Sequence, residues 1–210
     1  MEREKYFQSN RKTRVYLDAI SDLIGRHGLA ALLRLAGLHA WADELPPYND
    51  EFGVDFADIA ILSDKLELMY GPRGGRALGL RAGRASFKHI CEYYGEQVGL
   101  VADVIQAEPP SSRVRLVLNA LAKATQLHSD SQVFVDEADG EFSYTLTPCP
   151  ECWCRNDAED AACHGTSGFL LEALLWAGLG DDYQVDQIAC AAAGTSSDEE
   201  GCVFQIARCV

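Results

Sequence analysis

Four of the chain's eight cysteines, Cys149, Cys152, Cys154 and Cys163, share the stretch TPCPECWCRNDAEDAACHGTSG (147–168) with His164. Three chemistries suit such a cluster: disulfide bonding, metal binding and thiol catalysis. The N-terminus, MEREKYFQSNRKTRVYL, is charged and has no apolar core, so it is no secretory signal. A cytoplasmic, reducing location is therefore expected, and structural disulfides are disfavoured there. A Cys163–His164 nucleophile pair is disfavoured too, because adjacent residues at a helix start rarely face each other.

Metal binding fits best. Cys163 opens a predicted helix, Cys190 ends one predicted strand and Cys202 begins the next. A chain reversal between the strands brings Cys190 and Cys202 together. A crossover helix starting at the same sheet end adds Cys163. Three thiolates on rigid elements form the soft donor set that zinc takes tetrahedrally. Cys152 is assigned as the fourth ligand, with Cys154 and Cys149 as alternatives; Cys149 and Cys152 also form a C-x-x-C pair. The expected metal is structural zinc, with an iron–sulfur cluster as the alternative. The bland account, that the cysteines are small buried hydrophobes, applies best to the isolated Cys91 and Cys209.

These thiols need elements to hold them. The 210 residues are 48% hydrophobic, enough for one large core. The formal net charge of −14 opposes nucleic-acid binding. No stretch has the apolar length of a membrane span. Residues 1–128 read as helical. Val15, Leu17, Ile20, Leu23 and Ile24 recur at helical spacing until Gly25 and Gly28 interrupt, and a second helix runs through Leu38. Asp55 caps a helix through Tyr70. After a Gly71–Gly75 turn, a helix runs from near Arg76 toward Tyr94. Another follows Pro109 and Pro110, capped by Ser111 or Ser112.

Residues 129–210 read as β-β-α-β-β, beginning with a hairpin around Ala138-Asp139-Gly140. The fold class is α+β: N-terminal helices against a C-terminal four-stranded antiparallel sheet with one crossover helix. The two halves are expected to form one compact domain. Gly79 and Gly83 lie on one helix face at a cost of roughly 1 kcal/mol each against alanine. That cost implies close packing by a helix, a flat ligand or a second subunit, and a homodimer is expected. Arg73, Arg76, Arg81 and Arg84 either meet an anion or pair with surface carboxylates.

The C-terminal stretch CHGTSGFLLEALLWAGLGDDYQVDQIACAAAGTSSDEEGCVFQIA resembles the signature of the 4-vinyl-reductase (hydrocarbon-binding) domain family. Cys163, Gly168, Cys190, Gly194, Cys202 and Phe204 carry the likeness. The stretch LELMYGPRGGRALGLRAGRASF resembles the helical half of stand-alone members. The resemblance implies the fold of the small transport-particle (TRAPP) subunits, usually dimeric. It further implies kinship with sensory domains that bind phenol-like ligands beside a zinc site, and with a branch tied to bacteriochlorophyll synthesis. In metal-binding relatives an acidic ligand stands three residues before the second cysteine. Here that position is Gln187, a poor zinc ligand, so Gln187 itself is a weak alternative as fourth ligand, a nearby thiol takes the place, or the site is altered. An insertion, TSSDEE, also lengthens the connection between Cys190 and Cys202.

The expected function is a binding module for a small hydrophobic molecule, aromatic or tetrapyrrole-like, acting as a sensor or accessory protein. Trp153, Phe169, Trp176, Phe87 and Tyr94 are the candidate pocket walls, since aromatic rings suit such ligands. The metal would clamp one wall, and output would pass to a protein partner. The alternative is an enzyme or chaperone of tetrapyrrole synthesis, such as a 4-vinyl reductase component. No nucleotide fingerprint for a hydride carrier is visible, which favours binding over catalysis.

Overall fold

The computed structural model describes residues 3–156, 158, 160–180, 182–197 and 200–209. The first two residues of the N-terminal stretch, Asp198 and Glu199 of the insertion and the last residue of the final strand segment lie outside them.

The helices come first. α1 (Asn10–Leu35) starts on Ser9, whose hydroxyl accepts from the Lys12 amide. It bends only at Gly25, where φ is +77°; Gly28 stays helical. After the short α2 (His39–Asp43), Asp55 caps α3 (Phe56–Val98) by accepting from the Ala57 amide. Gly71 (φ +74°) breaks α3 ahead of Pro72, so one long element holds both helices expected from the sequence. A five-residue helix α4 (Ala102–Gln106) leads to α5 (Pro110–Leu127). Here the expectation of a serine cap is corrected. Pro110 occupies the first helical turn, where its missing N–H costs nothing, and no side chain caps the helix. Two short segments, β1 (Phe7–Gln8) and β2 (Val54–Asp55), pair antiparallel and pin the start of α1 to the start of α3.

The sheet comprises β3 (Gln132–Ala138), β4 (Glu141–Thr147), β5 (Tyr183–Ala189) and β6 (Cys202–Arg208). Its order is β3-β4-β6-β5, all antiparallel. The β3–β4 turn is the two residues Asp139 and Gly140, both at positive φ, as a tight hairpin requires. Phe142, Tyr144 and Leu146 of β4 and Cys202, Phe204 and Ile206 of β6 alternate onto the buried face. The crossover helix α6 (His164–Trp176) joins β4 to β5 and packs chiefly against α3.

The α3–α6 crossing explains the glycines. A Cβ on Gly83 would lie 2.0 Å from the Gly165 carbonyl oxygen, and one on Gly168 would lie 2.1 Å from the Leu80 carbonyl oxygen. A Cβ on Gly79 would meet the His164 side chain at 2.9 Å. The two helices touch backbone to backbone, and the glycine face assigned to a second subunit is covered by α6 of the same chain. Of the four arginines nearby, Arg84 pairs with Glu172 on α6 at 3.1 Å.

Candidate ligand cavity and thiol cluster

Five sulfurs gather where α6 begins. Cys163 Sγ lies 2.9 Å from Cys152, 3.4 Å from Cys149 and 3.4 Å from Cys202, and Cys152 lies 3.5 Å from Cys190. The sulfurs of Cys149, Cys152, Cys163 and Cys202 all fall within 4.8 Å of one another. All five residues are buried, with free thiols. The structure thus brings Cys152, Cys163, Cys190 and Cys202 together and adds Cys149. Cys154 turns away at φ +54° to pack beside Trp153. Gln187 faces the cluster from the inner side of β5. Its amide nitrogen donates to Cys163 Sγ at 3.1 Å, and its oxygen accepts from the Cys163 amide at 3.1 Å.

Crowding sets the cluster's acid–base character. Hydrogen bonds from Cys152, Cys163 and Cys202 hold the Cys190 thiol well below its ordinary range. Burial, then the neighbouring thiols, pushes Cys163 well above it. The same set offers a thiophilic cation four soft donors.

The loop that carries these thiols also carries Glu151, which is buried. Its Oε2 accepts from the Gly165 amide at 2.9 Å, and its Oε1 accepts from the Thr166 amide and hydroxyl at 2.8 and 2.7 Å. A carboxylate here satisfies the orphan donors of the first turn and meets the positive end of the helix dipole. Burial raises the Glu151 pKa, and the three hydrogen bonds oppose that rise.

Glu151 and Pro150 form one wall of a cavity of about 120 Å³ at the seam between helices and sheet. Val15, Ile59, Ile90, Leu146 and Phe169 give it an apolar lining. Its polar lining includes Lys12, Tyr16, His128 and Glu151, alongside Gln8, Thr125 and Tyr144. His128, at the end of α5, is 7% exposed, and among the described residues neither of its buried ring nitrogens has a hydrogen-bond partner. Burial lowers its pKa; Asp50 opposes this, while Lys12 and Arg11 add to it. The ring packs at a tilt of 34° against Tyr94, 4.0 Å between centroids, and the Tyr94 hydroxyl is bonded to Asp50. Burial lowers Lys12 to about 8, against the opposing fields of Cys149 and Glu151. Among the described residues no ion pair or hydrogen bond holds Lys12 Nζ.

Of the aromatic residues expected to form the pocket, Phe169 lines this cavity, and Tyr94 stands behind His128. Phe87 and Trp176 form an edge-to-face cluster with Phe169, with Phe87 at 5.7 Å from Phe169 and 5.8 Å from Trp176. Trp153 packs edge-on against Tyr6 at 4.9 Å, beside Phe56, in a separate cluster. Sequence reasoning missed Lys12, Tyr16, His128 and Glu151. Two of them left a signal. Lys12 is in helical phase with Val15, Tyr16 and Ala19, and His128 with Leu121, Ala124 and Thr125. Each is a polar residue on an apolar stripe. Glu151 left none.

This arrangement of helices and sheet is the fold of the H-NOX proteins. The chain matches an Fe(II) unliganded H-NOX protein from K. algicida with a TM-score of 0.61 and 12% identity, covering 96% of this chain and 97% of that one. It matches an H-NOX variant from T. tengcongensis with a TM-score of 0.58 and 11% identity, covering 94% and 97%. A structure from work on heme distortion in the H-NOX family gives 0.59 and 9%, covering 95% and 94%. No family model and no curated protein matches the chain.

Two expectations are corrected by this comparison. The likeness to the 4-vinyl-reductase family and the TRAPP subunits gives way to H-NOX structures. The residues that carried it each answer a local structural need. Gly168 admits the α3 backbone, Gly194 closes a 3-10 turn (Ala191–Ala193) at φ +68°, and Phe204 fills the core. Such requirements recur wherever helices cross over a small sheet. The zinc or iron–sulfur cofactor gives way likewise, since the matched structures are described in terms of heme.

Heme itself does not fit this chain's cavity. Pockets for drug-sized ligands run to about 300–1,000 Å³, and a porphyrin needs at least that class of space. The 120 Å³ here is well short of it. The α3–α6 glycine crossing, in backbone contact along the cavity edge at Gly83 and Gly165, prevents easy widening.

Proposed function

We propose that this chain is a sensor domain for a small organic molecule held in the cavity between the helices and the sheet. The observation that carries this reading is His128, a buried imidazole whose two nitrogens are unpartnered among the described residues, on the wall of a mostly apolar cavity. A buried polar group without a partner costs roughly 1–3 kcal/mol, and a ligand that supplies the partner recovers it. At about 120 Å³ the cavity is somewhat smaller than the apolar cavity of about 150 Å³ that holds benzene, which limits the ligand to about one ring. The H-NOX structures of the same fold, described as heme proteins, support a ligand-sensing use of the fold.

Occupancy is read out by the wall. Pro150, Glu151, Gly165 and Thr166 touch the ligand space, and Glu151 fastens the thiol loop to α6. The thiol cluster serves structurally in this reading, holding that loop against α6, β5 and β6. A ligand that moves Glu151 thus moves the start of α6.

The test is a thermal-shift screen of single-ring compounds, followed by heteronuclear NMR of the His128 ring. Binding should raise the melting temperature and shift the His128 nitrogen resonances. A panel that leaves both unchanged would refute the reading. Titration with hemin is expected to give no stoichiometric Soret shift.

A further inference from the structure

The cavity's unpartnered polar groups specify more than size. Lys12 Nζ makes no hydrogen bond or ion-pair contact among the described residues, although the Glu151 carboxylate lies within its field, and it lines the same cavity as the free nitrogens of His128. The obvious internal counter-ion, Glu151, has both oxygens committed to the α6 N-terminus. Asp50, near His128, is committed to Arg11 at 2.9 Å and to the Tyr94 hydroxyl. Tyr16 also lines the space. A half-buried cation beside free imidazole nitrogens calls for an anion. The remaining wall, from Val15, Ile59, Ile90 and Phe169, calls for an apolar body.

We infer that the ligand is a small organic carboxylate with an apolar body no larger than a single ring. Its carboxylate sits against Lys12 and His128, and its body lies against the apolar wall. The neutral imidazole donates one N–H to a carboxylate oxygen, and the Lys12 ammonium supplies the charge. This inference rests on the sensor reading above and names its ligand class.

The experiment uses the intact chain and three probes of similar shape: benzoate, the neutral benzamide, and toluene. Isothermal titration should show benzoate binding at least about tenfold tighter than benzamide, as expected for a charge-assisted contact. Lys12→Met, which keeps the length and apolar stem of the side chain, should erase that preference while toluene binding persists. His128→Gln, which keeps a donor, should retain part of it. Equal affinity for all three probes would overturn the carboxylate assignment and leave the sensor reading standing. Tighter benzoate binding that survives in Lys12→Met would overturn the role of Lys12. Failure of all three to bind would overturn both. Circular dichroism of each variant separates lost binding from lost folding.

Discussion

The α3–α6 crossing makes a sharp prediction at Gly83. Alanine there places a Cβ 2.0 Å from the Gly165 carbonyl oxygen, 2.8 Å from its carbon and 3.0 Å from its Cα. Ordinary contact begins at 3.4 Å, so the shortfall is roughly 1.4 Å. Every opposing atom is backbone, so no side chain can rotate away. Overpacking of this kind costs about 1–3 kcal/mol, and the upper end applies where backbone must move. Alanine's better helix propensity returns about 1 kcal/mol. The expected net loss is about 2 kcal/mol, which for a chain of this size lowers the melting temperature by roughly 4–8 °C. Gly28→Ala is the internal control. Its new Cβ meets only the Ile24 side chain, at 3.1 Å, and stability should hold or rise by up to about 1 kcal/mol. Urea titrations of both variants at several protein concentrations give the answer. Because the crossing lies within one chain, the Gly83→Ala loss should not depend on concentration; a subunit interface would make it do so. A Gly83→Ala protein as stable as the parent would refute the crossing as described.

Glu151→Ala should cost about 2–3 kcal/mol, since it strands the Gly165 and Thr166 amides in a buried place. Glu151→Gln, which keeps one acceptor, should cost less in the same denaturation assay. His128 has a folded pKa below its unfolded value of about 6.5. Its contribution is therefore present above pH 6.5 and lost as pH falls toward the folded value, where only the unfolded chain is protonated. Asp50, Lys12, Arg11 and Tyr94 face this ring, so the pH slope should be compared between the parent and His128→Gln; identical slopes below pH 6.5 would contradict a buried neutral imidazole. In a thiol-reagent titration of the native protein, the exposed Cys209 should react first and the half-buried Cys91 and Cys154 more slowly. Cys149, Cys152, Cys163, Cys190 and Cys202 should react only on unfolding, and fast labelling of any of them would show the cluster to be open.

Local chemistry determined most of the elements. Asp55 caps α3 because a carboxylate beside an apolar helical run has free amides to accept from, wherever that helix goes. The alternation of Phe142, Tyr144 and Leu146 and the Asp139-Gly140 turn specified the hairpin, because strand period and positive φ are properties of neighbours in sequence. The chain reversal between Cys190 and Cys202 and the placement of Cys163 at a helix start were legible for the same reason. Tertiary structure decided what those elements meet. The glycines at 79 and 83 announced a close approach, but only the return of α6 showed that the approaching backbone is the chain's own. The aromatic residues announced burial, yet Trp153 joined Tyr6 and Phe56 while Phe169 alone of the expected wall reached the cavity. Among the cavity's polar groups, Lys12, Tyr16, His128 and Glu151 come from α1, the end of α5 and the thiol loop. Their convergence is a matter of helix crossing and sheet order, which no window of sequence contains.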